Sequence, residues 1–234
     1  MNANPNLAEV VSLMADASRA AMLTCLLDKR FYTASELAYA AGVTPQTASF
    51  HLAKLVEGGM VKVEKHGRHR YFQLADEEVA YLLESLLSLS RPPEVRSLKQ
   101  SIQMRELKQA RMCYDHLAGL LGVQLTGSLV RQGWLETLDD EQNFQVTARG
   151  ETFFAEFGLD LKELGNRRRA FSRKCLDWSE RQHHLAGALG SAVASRLLQL
   201  GWIKKRPSSR AIEITADGSR GLQDVFGIRL EGEQ

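Results

Sequence analysis

The sequence predicts a mainly α-helical fold with short β-hairpin wings: an N-terminal winged helix-turn-helix followed by two reduced winged-helix-like repeats. Three observations carry that expectation. Apolar residues recur at helical spacing from Leu7 to Leu55. Two short β-type runs, Val61–Val63 and Tyr71–Leu74, flank a basic turn at His66, Gly67 and Arg68. In the second half, several short motifs occur twice at a single displacement.

Leu7, Val10, Val11 and Met14 form one helical stripe, and Ala20, Leu23, Leu26 and Leu27 form a second. Asp16 and Ser18 fall between them and separate two helices. Thr33 opens a third helix, where its hydroxyl can cap free amides while Glu36 completes a capping box. Gly42 ends it. Thr44 followed by Pro45 starts the next helix, because proline at the first helical position gives up an amide that would have no partner. That helix buries Ala48, Leu52 and Leu55 and stops at Gly58 and Gly59. After the wing, Val79, Leu82, Leu83, Leu86 and Leu87 form an apolar helix that Arg91, Pro92 and Pro93 terminate.

This places a DNA-binding and dimerisation domain at 1–91 and a sensing or assembly domain at 92–234. The latter begins with a charged helix over 94–112 carrying Val95, Leu98, Ile102 and Leu107. The repeats then lie at about 116–158 and 184–227. His116-Leu-Ala-Gly recurs as His184-Leu-Ala-Gly, Gly133-Trp134 as Gly201-Trp202, and Thr147-x-x-Gly150 as Thr215-x-x-Gly218, each 68 residues on. Each copy reads as a helix, a Gly-Trp turn into a hairpin and a short helix. The tryptophans anchor hairpin to helix. Gly122 to Gly133 and Gly190 to Gly201 are shorter spans than Gly42 to Gly59, and neither copy repeats the Thr44–Thr47 start. The copies are thus expected to lack a base-reading end.

The chain has 234 residues, a formal charge of +2 and 44% hydrophobic residues, enough for a core without covalent staples. Three isolated cysteines without CxxC argue against a disulfide framework and for a reducing compartment. No apolar run is long enough to span a bilayer, and no secretory profile opens the sequence, so a cytoplasmic protein without a membrane partner is expected. Phosphate-loop, HExxH and GxSxG signatures are absent, which speaks against an enzyme.

Reading a major groove requires a helix that exposes short polar side chains at its N-terminal end. Thr44, Gln46, Thr47 and Ser49 occupy that end, with His51 and Lys54 a turn farther along. Gln46 suits adenine edges, and the hydroxyls suit bases or phosphates. Lys65, Arg68, His69 and Arg70 on the wing suit phosphates or the adjacent minor groove. The same residue types would also serve a winged-helix protein-interaction module.

Ser35-Glu-Leu-Ala38, Ala41-Gly42-Val43, Thr47-Ala-Ser-Phe-His51-Leu52-x-x-Leu55, Gly58-Gly59-Met60-Val61 and Gly67-Arg68-x-Arg70-Tyr71-Phe72 closely resemble the ArsR/SmtB repressors over about residues 7–90. The resemblance implies a homodimer built from the first helix and the helix at 77–89. It further implies an inverted-repeat operator in double-stranded DNA and release by an inducer. Metal-sensing members carry cysteines in the helix before the recognition helix, or carboxylates with histidine in the dimer helix. Here Glu36–Ala41 has no cysteine and the dimer helix has no histidine, so no metal site is expected. An organic inducer is the expected small-molecule ligand, held by Arg173, Trp178, Arg181 and His183. Cys113 and Cys175 are the candidates for a thiol-based redox switch, with inert burial as the alternative.

Overall fold

The computed structural model describes residues 5–91, 94–95, 97–138, 142–207 and 209–229. The expected helix stop at Pro92 and Pro93 lies outside them. The chain divides into two compact units, 1–83 and 84–234.

In the first unit, α1 (Leu7–Met14) and α2 (Ala17–Cys25) meet at Asp16, whose carboxylate caps α2 by accepting from the Arg19 amide at 2.9 Å. A 3-10 turn (Leu26–Asp28) and β1 (Tyr32–Thr33) lead into α3 (Ala34–Ala41). The expected capping box is present: the Glu36 amide donates to Thr33 and the Glu36 carboxylate accepts from the Thr33 amide. Gly42 ends α3 at φ +66°, in the left-handed region that glycine enters at little cost. α4 (Pro45–Glu57) follows with Thr44 as its cap. β2 (Val61–His66) and β3 (His69–Leu74) form the wing around Gly67, in a sheet of order β1-β3-β2. Met22, Leu23, Leu26, Leu27, Leu37, Leu52, Leu55 and Leu74 fill the core. α5 (Glu77–Leu89) comes next.

The second unit departs from expectation at its start. Helix α6 covers only Leu98–Gln109, and Arg111–Cys113 is strand β4. Val95, Leu98 and Ile102 are exposed, so α6 has no apolar face turned inward at those positions. His116–Ala118 is likewise a strand, β5, and α7 (Gly119–Arg131) begins only at Gly119, φ +76°. Short apolar runs of this kind do not distinguish strand from helix by periodicity.

The first copy continues through β6 (Leu135–Thr137), β7 (Phe144–Val146), α8 (Ala148–Glu156) and α9 (Leu161–Gly165). The second copy comprises β8 (Lys174–Leu176), β9 (His183–Leu185), α10 (Gly187–Gln199), β10 (Ile203–Lys205), β11 (Ile212–Ile214) and α11 (Ala216–Phe226). Each repeat therefore opens with a hairpin, β4-β5 or β8-β9, where the first unit has α3. The helices α7 and α10 are 13 residues long, the same as α4. The missing feature is not length but an exposed, capped start: Ala118 and Ala186 make no side-chain cap, and Gly119, Leu121, Gly122 and their counterparts Gly187, Leu189, Gly190 are buried.

The two copies are interlocked. The amide of Met112 beside β5 donates to the Arg210 carbonyl ahead of β11, and the Ile212 amide donates to Ala110. Reciprocally, the Phe144 amide of β7 donates to Ser172 and the Lys174 amide of β8 to Gln142. Helix α7 packs on β9, and α10 on β5. Gly122 and Gly190 let each long helix start close against its own hairpin, since a Cβ at either would meet the carbonyl of Leu117 or Leu185 at 2.5 or 2.4 Å.

The repeated Thr-x-x-Gly has a common physical cause. Thr147 and Thr215 accept from the Gly150 and Gly218 amides, both at 2.9 Å, capping α8 and α11. Their hydroxyls donate back to Gly133 and Gly201 at 2.7 and 2.8 Å. A Cβ on Gly150 would lie 2.0 Å from the Trp134 carbonyl oxygen, and on Gly218 1.9 Å from that of Trp202. The Trp134 ring stacks on Phe153 of α8 at 3.5 Å between centroids, which anchors the first hairpin to its helix. Gly150→Ala should lower the unfolding free energy by ~1–3 kcal/mol through overpacking, measured by urea titration. Gly165→Ala, whose Cβ would meet nothing within 4 Å, should leave the midpoint almost unchanged.

Candidate functional site

Two constellations of functional residues emerge, one in each unit. In the first, the N-terminal end of α4 is open to solvent: Thr44, Gln46, Thr47 and Ser49 are all exposed, while Ala48 beneath them is buried. Thr44 accepts from the Thr47 amide at 3.2 Å, and the two hydroxyls are 2.9 Å apart. Ser49 donates to the Pro45 carbonyl at 2.8 Å. Gln46 has its polar end free of such local bonds among the described contacts. Lys54 is exposed, with its ammonium 4.5 Å from the centre of the Phe50 ring. On the wing, Lys65, Arg68, His69 and Arg70 are all exposed. Phe72 is buried and Tyr71 half-buried, as alternation along β3 requires.

His51 differs from the other predicted contact residues. It is half-buried, and its Nδ1 accepts from Arg19 at 3.2 Å, which fixes the tautomer at that nitrogen. Arg19 also donates to the Leu13 carbonyl at 2.7 Å and the Ser12 carbonyl at 2.9 Å. One guanidinium thus holds the end of α1 and the middle of α4 in register, and His51 serves that anchorage.

The second constellation lies where the two repeats interlock. Cys113 on β4, His116 on β5, Cys175 on β8 and His184 on β9 are all buried, and their ligand atoms lie within 4.8 Å of one another. The Cys113 and Cys175 Sγ atoms are 3.9 Å apart. The His116 and His184 Nε2 atoms are 3.2 Å apart. Both imidazoles turn Nε2 inward and Nδ1 outward to a carboxylate: Asp115 for His116 and Asp177 for His184, each at 3.5 Å. Two thiols and two imidazoles at such spacing form a donor set able to hold a transition metal.

Two buried ion pairs frame this cluster. Asp177 accepts from Arg111 at 2.9 Å and from the Gly119 amide at 2.6 Å; its other oxygen accepts from the amides of Ser179 and Glu180 and from the Ser179 hydroxyl. A carboxylate of the second copy therefore caps α7 of the first, where Ala118 has no side-chain cap to offer. Asp115 accepts from both terminal nitrogens of Arg169, at 2.6 and 3.3 Å.

Burial opposes ionisation of both aspartates, yet their partners prevail. His116 and Arg169 hold Asp115 well below the usual carboxylate range, and Arg111, Ser179 and the Gly119 amide do so for Asp177. Burial, reinforced by the neighbouring Cys175, pushes the Cys113 thiol well up. For His116, burial disfavours the charge, but Cys113 and Asp115 outweigh it and lift the pKa to about 9. His184 is held well below its ordinary value by burial and by His116.

The residues expected to hold an organic inducer are dispersed. Trp178 is half-buried with its ring 4.4 Å from the Arg111 guanidinium carbon. Arg181 is exposed and donates to the Ser88 carbonyl of α5. His183 is exposed and Arg173 half-buried. A groove of about 350 Å³, lined by residues including Met104, Lys108, Leu120 and Glu180, contains none of these four. Sequence reasoning had set no metal site and left His116 and His184 as repeat markers. The overlooked signal is Arg111-x-Cys113-x-Asp115-His116 matching Arg173-x-Cys175-x-Asp177 before His184, with Trp178–His183 inserted between. The insertion breaks the 68-residue register, which hid the equivalence of the two cysteines.

Residues 14–64 match the profile of a "Helix-turn-helix domain". Over 227 residues the chain is 49% identical to the uncharacterized HTH-type transcriptional regulator YdfF of Bacillus subtilis (strain 168), covering 97% of this chain and all of that one. The chain belongs to the HTH-type transcriptional regulators. This regulator is accordingly a winged-helix DNA-binding protein rather than an enzyme, and its N-terminal motifs relate it to the ArsR/SmtB superfamily. Among solved structures it is similar to the homodimeric winged helix-turn-helix DNA-binding domain Mb0332 of Mycobacterium bovis, a possible ArsR-family regulator. That match has 27% identity, covers 38% of this chain and 89% of the other, and has TM-score 0.33. The cadmium metal-sensor CMTR of Mycobacterium tuberculosis matches at 28% identity over 39% of this chain and all of that one, with TM-score 0.32. Among the regulator's described residues, no single helix is long and apolar enough to cross a membrane.

The fully buried Arg111–Asp177 pair gives a sharp mutational contrast. Asp177→Asn leaves a buried guanidinium without its anion and should destabilise the second unit by ~3–5 kcal/mol. Arg167→Ala removes an exposed pair with Glu163 and should cost no more than ~0.5 kcal/mol. Urea unfolding followed by tryptophan fluorescence reads both, since all three tryptophans lie in the second unit.

Proposed function

We propose that this regulator is a homodimeric, sequence-specific repressor that acts in the cytoplasm, binds an inverted-repeat operator in double-stranded DNA, and is released by a ligand of its C-terminal region. Residues 1–91 supply DNA binding and dimerisation, and 92–234 supply sensing. The observation that carries the reading is the exposed, capped start of α4 beside a basic wing. Of the three winged units, only this one presents Thr44, Gln46, Thr47 and Ser49 to solvent at a helix N-terminus, whereas α7 and α10 bury theirs. Gln46 reads a base edge. The hydroxyls, Lys54, Lys65, Arg68, His69 and Arg70 bind phosphates or the neighbouring minor groove.

Dimerisation through α1 and α5 is supported by the apolar side chains these helices leave exposed: Leu7, Val10 and Val11 on α1, and Leu82, Leu86 and Leu89 on α5. Exposed apolar residues in sets of this kind mark association surfaces. The ArsR/SmtB resemblance points to the same two helices.

Footprinting on DNA upstream of the regulator's own coding region tests this reading. A protected site with two-fold symmetry is expected, and equal weak binding to unrelated DNA would instead mark a protein-interaction module. Gln46→Ala should weaken operator binding by ~1–3 kcal/mol and relax preference at one base pair in each half-site. Arg68→Ala, read as a phosphate contact, should reduce the slope of log K against log salt by about 0.9 per half-site while leaving sequence preference intact.

A further inference from the structure

We infer that Cys113, His116, Cys175 and His184 form a tetrahedral binding site for a thiophilic divalent cation of the zinc class. The site is built inside the second unit and shared equally by its two repeats.

Geometry is the first ground. A tetrahedral zinc ion with Zn–S near 2.3 Å and Zn–N near 2.0–2.1 Å sets its two sulfurs about 3.8 Å apart and its two nitrogens about 3.3 Å apart. The corresponding separations here are 3.9 Å and 3.2 Å.

Orientation is the second ground. Each imidazole directs Nε2 inward and Nδ1 toward an aspartate, the outer arrangement that fixes a metal-binding tautomer and strengthens the ligand. The His184 Nδ1 atom is buried and makes no hydrogen bond, with the Asp177 carboxylate the nearest anion at 3.5 Å. Asp115 and Asp177 are themselves fixed by Arg169 and Arg111.

Charge is the third. Binding displaces to solvent the protons of both thiols and of the His116 imidazole, and sets two thiolates against one dication, with both imidazoles neutral. The filled site therefore carries no net charge, as do the flanking aspartate–arginine pairs. Such balance suits a buried position, where an uncompensated ion is costly. Neither family position for metals described above includes these residues, and the inference does not depend on DNA recognition: a chain that bound no operator would still hold the cation.

The test uses the full chain, reduced and stripped of metal, titrated with Co(II). One equivalent per chain is expected, giving sulfur-to-cobalt charge transfer and the strong visible bands of tetrahedral Co(II), all removed by one equivalent of Zn(II). Cys113→Ser and Cys175→Ser should each abolish or halve the charge-transfer band. They should also weaken Co(II) binding by more than the ~10–100-fold loss typical of changes to a ligand's outer partner. Cys25→Ser, altering the cysteine in the first unit, should leave the spectrum unchanged. Circular dichroism of each variant separates loss of ligand from loss of fold. The wild-type titration decides the matter even if every variant unfolds. Weak or octahedral Co(II) binding by the reduced wild type would overturn the inference, as would a Cys113–Cys175 disulfide that forms in air and whose reduction restores no cobalt binding.

Discussion

The second unit depends on one constraint: neither repeat can complete itself. The strand pairs that open each copy, β4-β5 and β8-β9, take hydrogen bonds from the wing of the opposite copy, and each long helix packs on the opposite hairpin. A two-stranded hairpin alone is marginal in water. Exchanged between copies, the hairpins become the interior of a common core that includes Leu121, Leu125, Leu189, Val193 and Phe154. Gly122 and Gly190 face the histidine Cβ atoms of the opposite copy, His184 and His116, across this junction. Exchange puts equivalent residues of the two copies face to face. Cys113 meets Cys175 and His116 meets His184 for that reason, and the polar cluster at the centre follows from the symmetry of the fold.

A polar cluster at such a centre has to be neutralised, and the two copies do this differently. In the first, Asp115 is met by Arg169 from the segment after α9. In the second, Asp177 is met by Arg111 from the other copy and also takes the first amide of α7. The inserted stretch Trp178–His183 makes the second arrangement possible. It turns immediately after Asp177, letting Ser179 and Glu180 donate to the same carboxylate, and Arg181 adopts φ +57° to bring the chain back to His183. The duplication therefore persists in the elements while the insertion has changed the surroundings of one histidine. Burial and the charge on His116 lower His184, while Cys113 and Asp115 outweigh burial and raise His116, so two imidazoles 3.2 Å apart shift in opposite directions.

Much of the fold was legible because its signals are local. Thr33 with Glu36, Thr44 with Pro45, and Gly42 and Gly67 each specify a cap or turn through their own chemistry, and each occurs where the sequence placed it. The Thr-x-x-Gly and Gly-Trp motifs were visible as repeats, though only the structure shows that the glycine makes room for a tryptophan carbonyl. What was not legible depended on distant contacts. Arg111–Cys113 continues a helical pattern in sequence, but pairs as a strand with His116–Ala118, and Arg210 and Ile212, roughly a hundred residues away, add hydrogen bonds to its open edge. The Cys/His cluster was hidden by that same distance and by the insertion. Its members come from two hairpins, neither of which was recognised as one.

The contacts of the C-terminal half of α5 tie that half to the surroundings of the cluster within the second unit. Two cationic side chains of the second copy hold the C-terminal half of this helix: Arg210 pairs with the buried Glu84, and Arg181 donates to the Ser88 carbonyl. Arg210 also presents the carbonyl that receives the Met112 amide, one residue before Cys113. Arg181 lies in the insertion bounded by Asp177 and His184. Both holds on α5 thus begin within a few residues of the four cluster ligands.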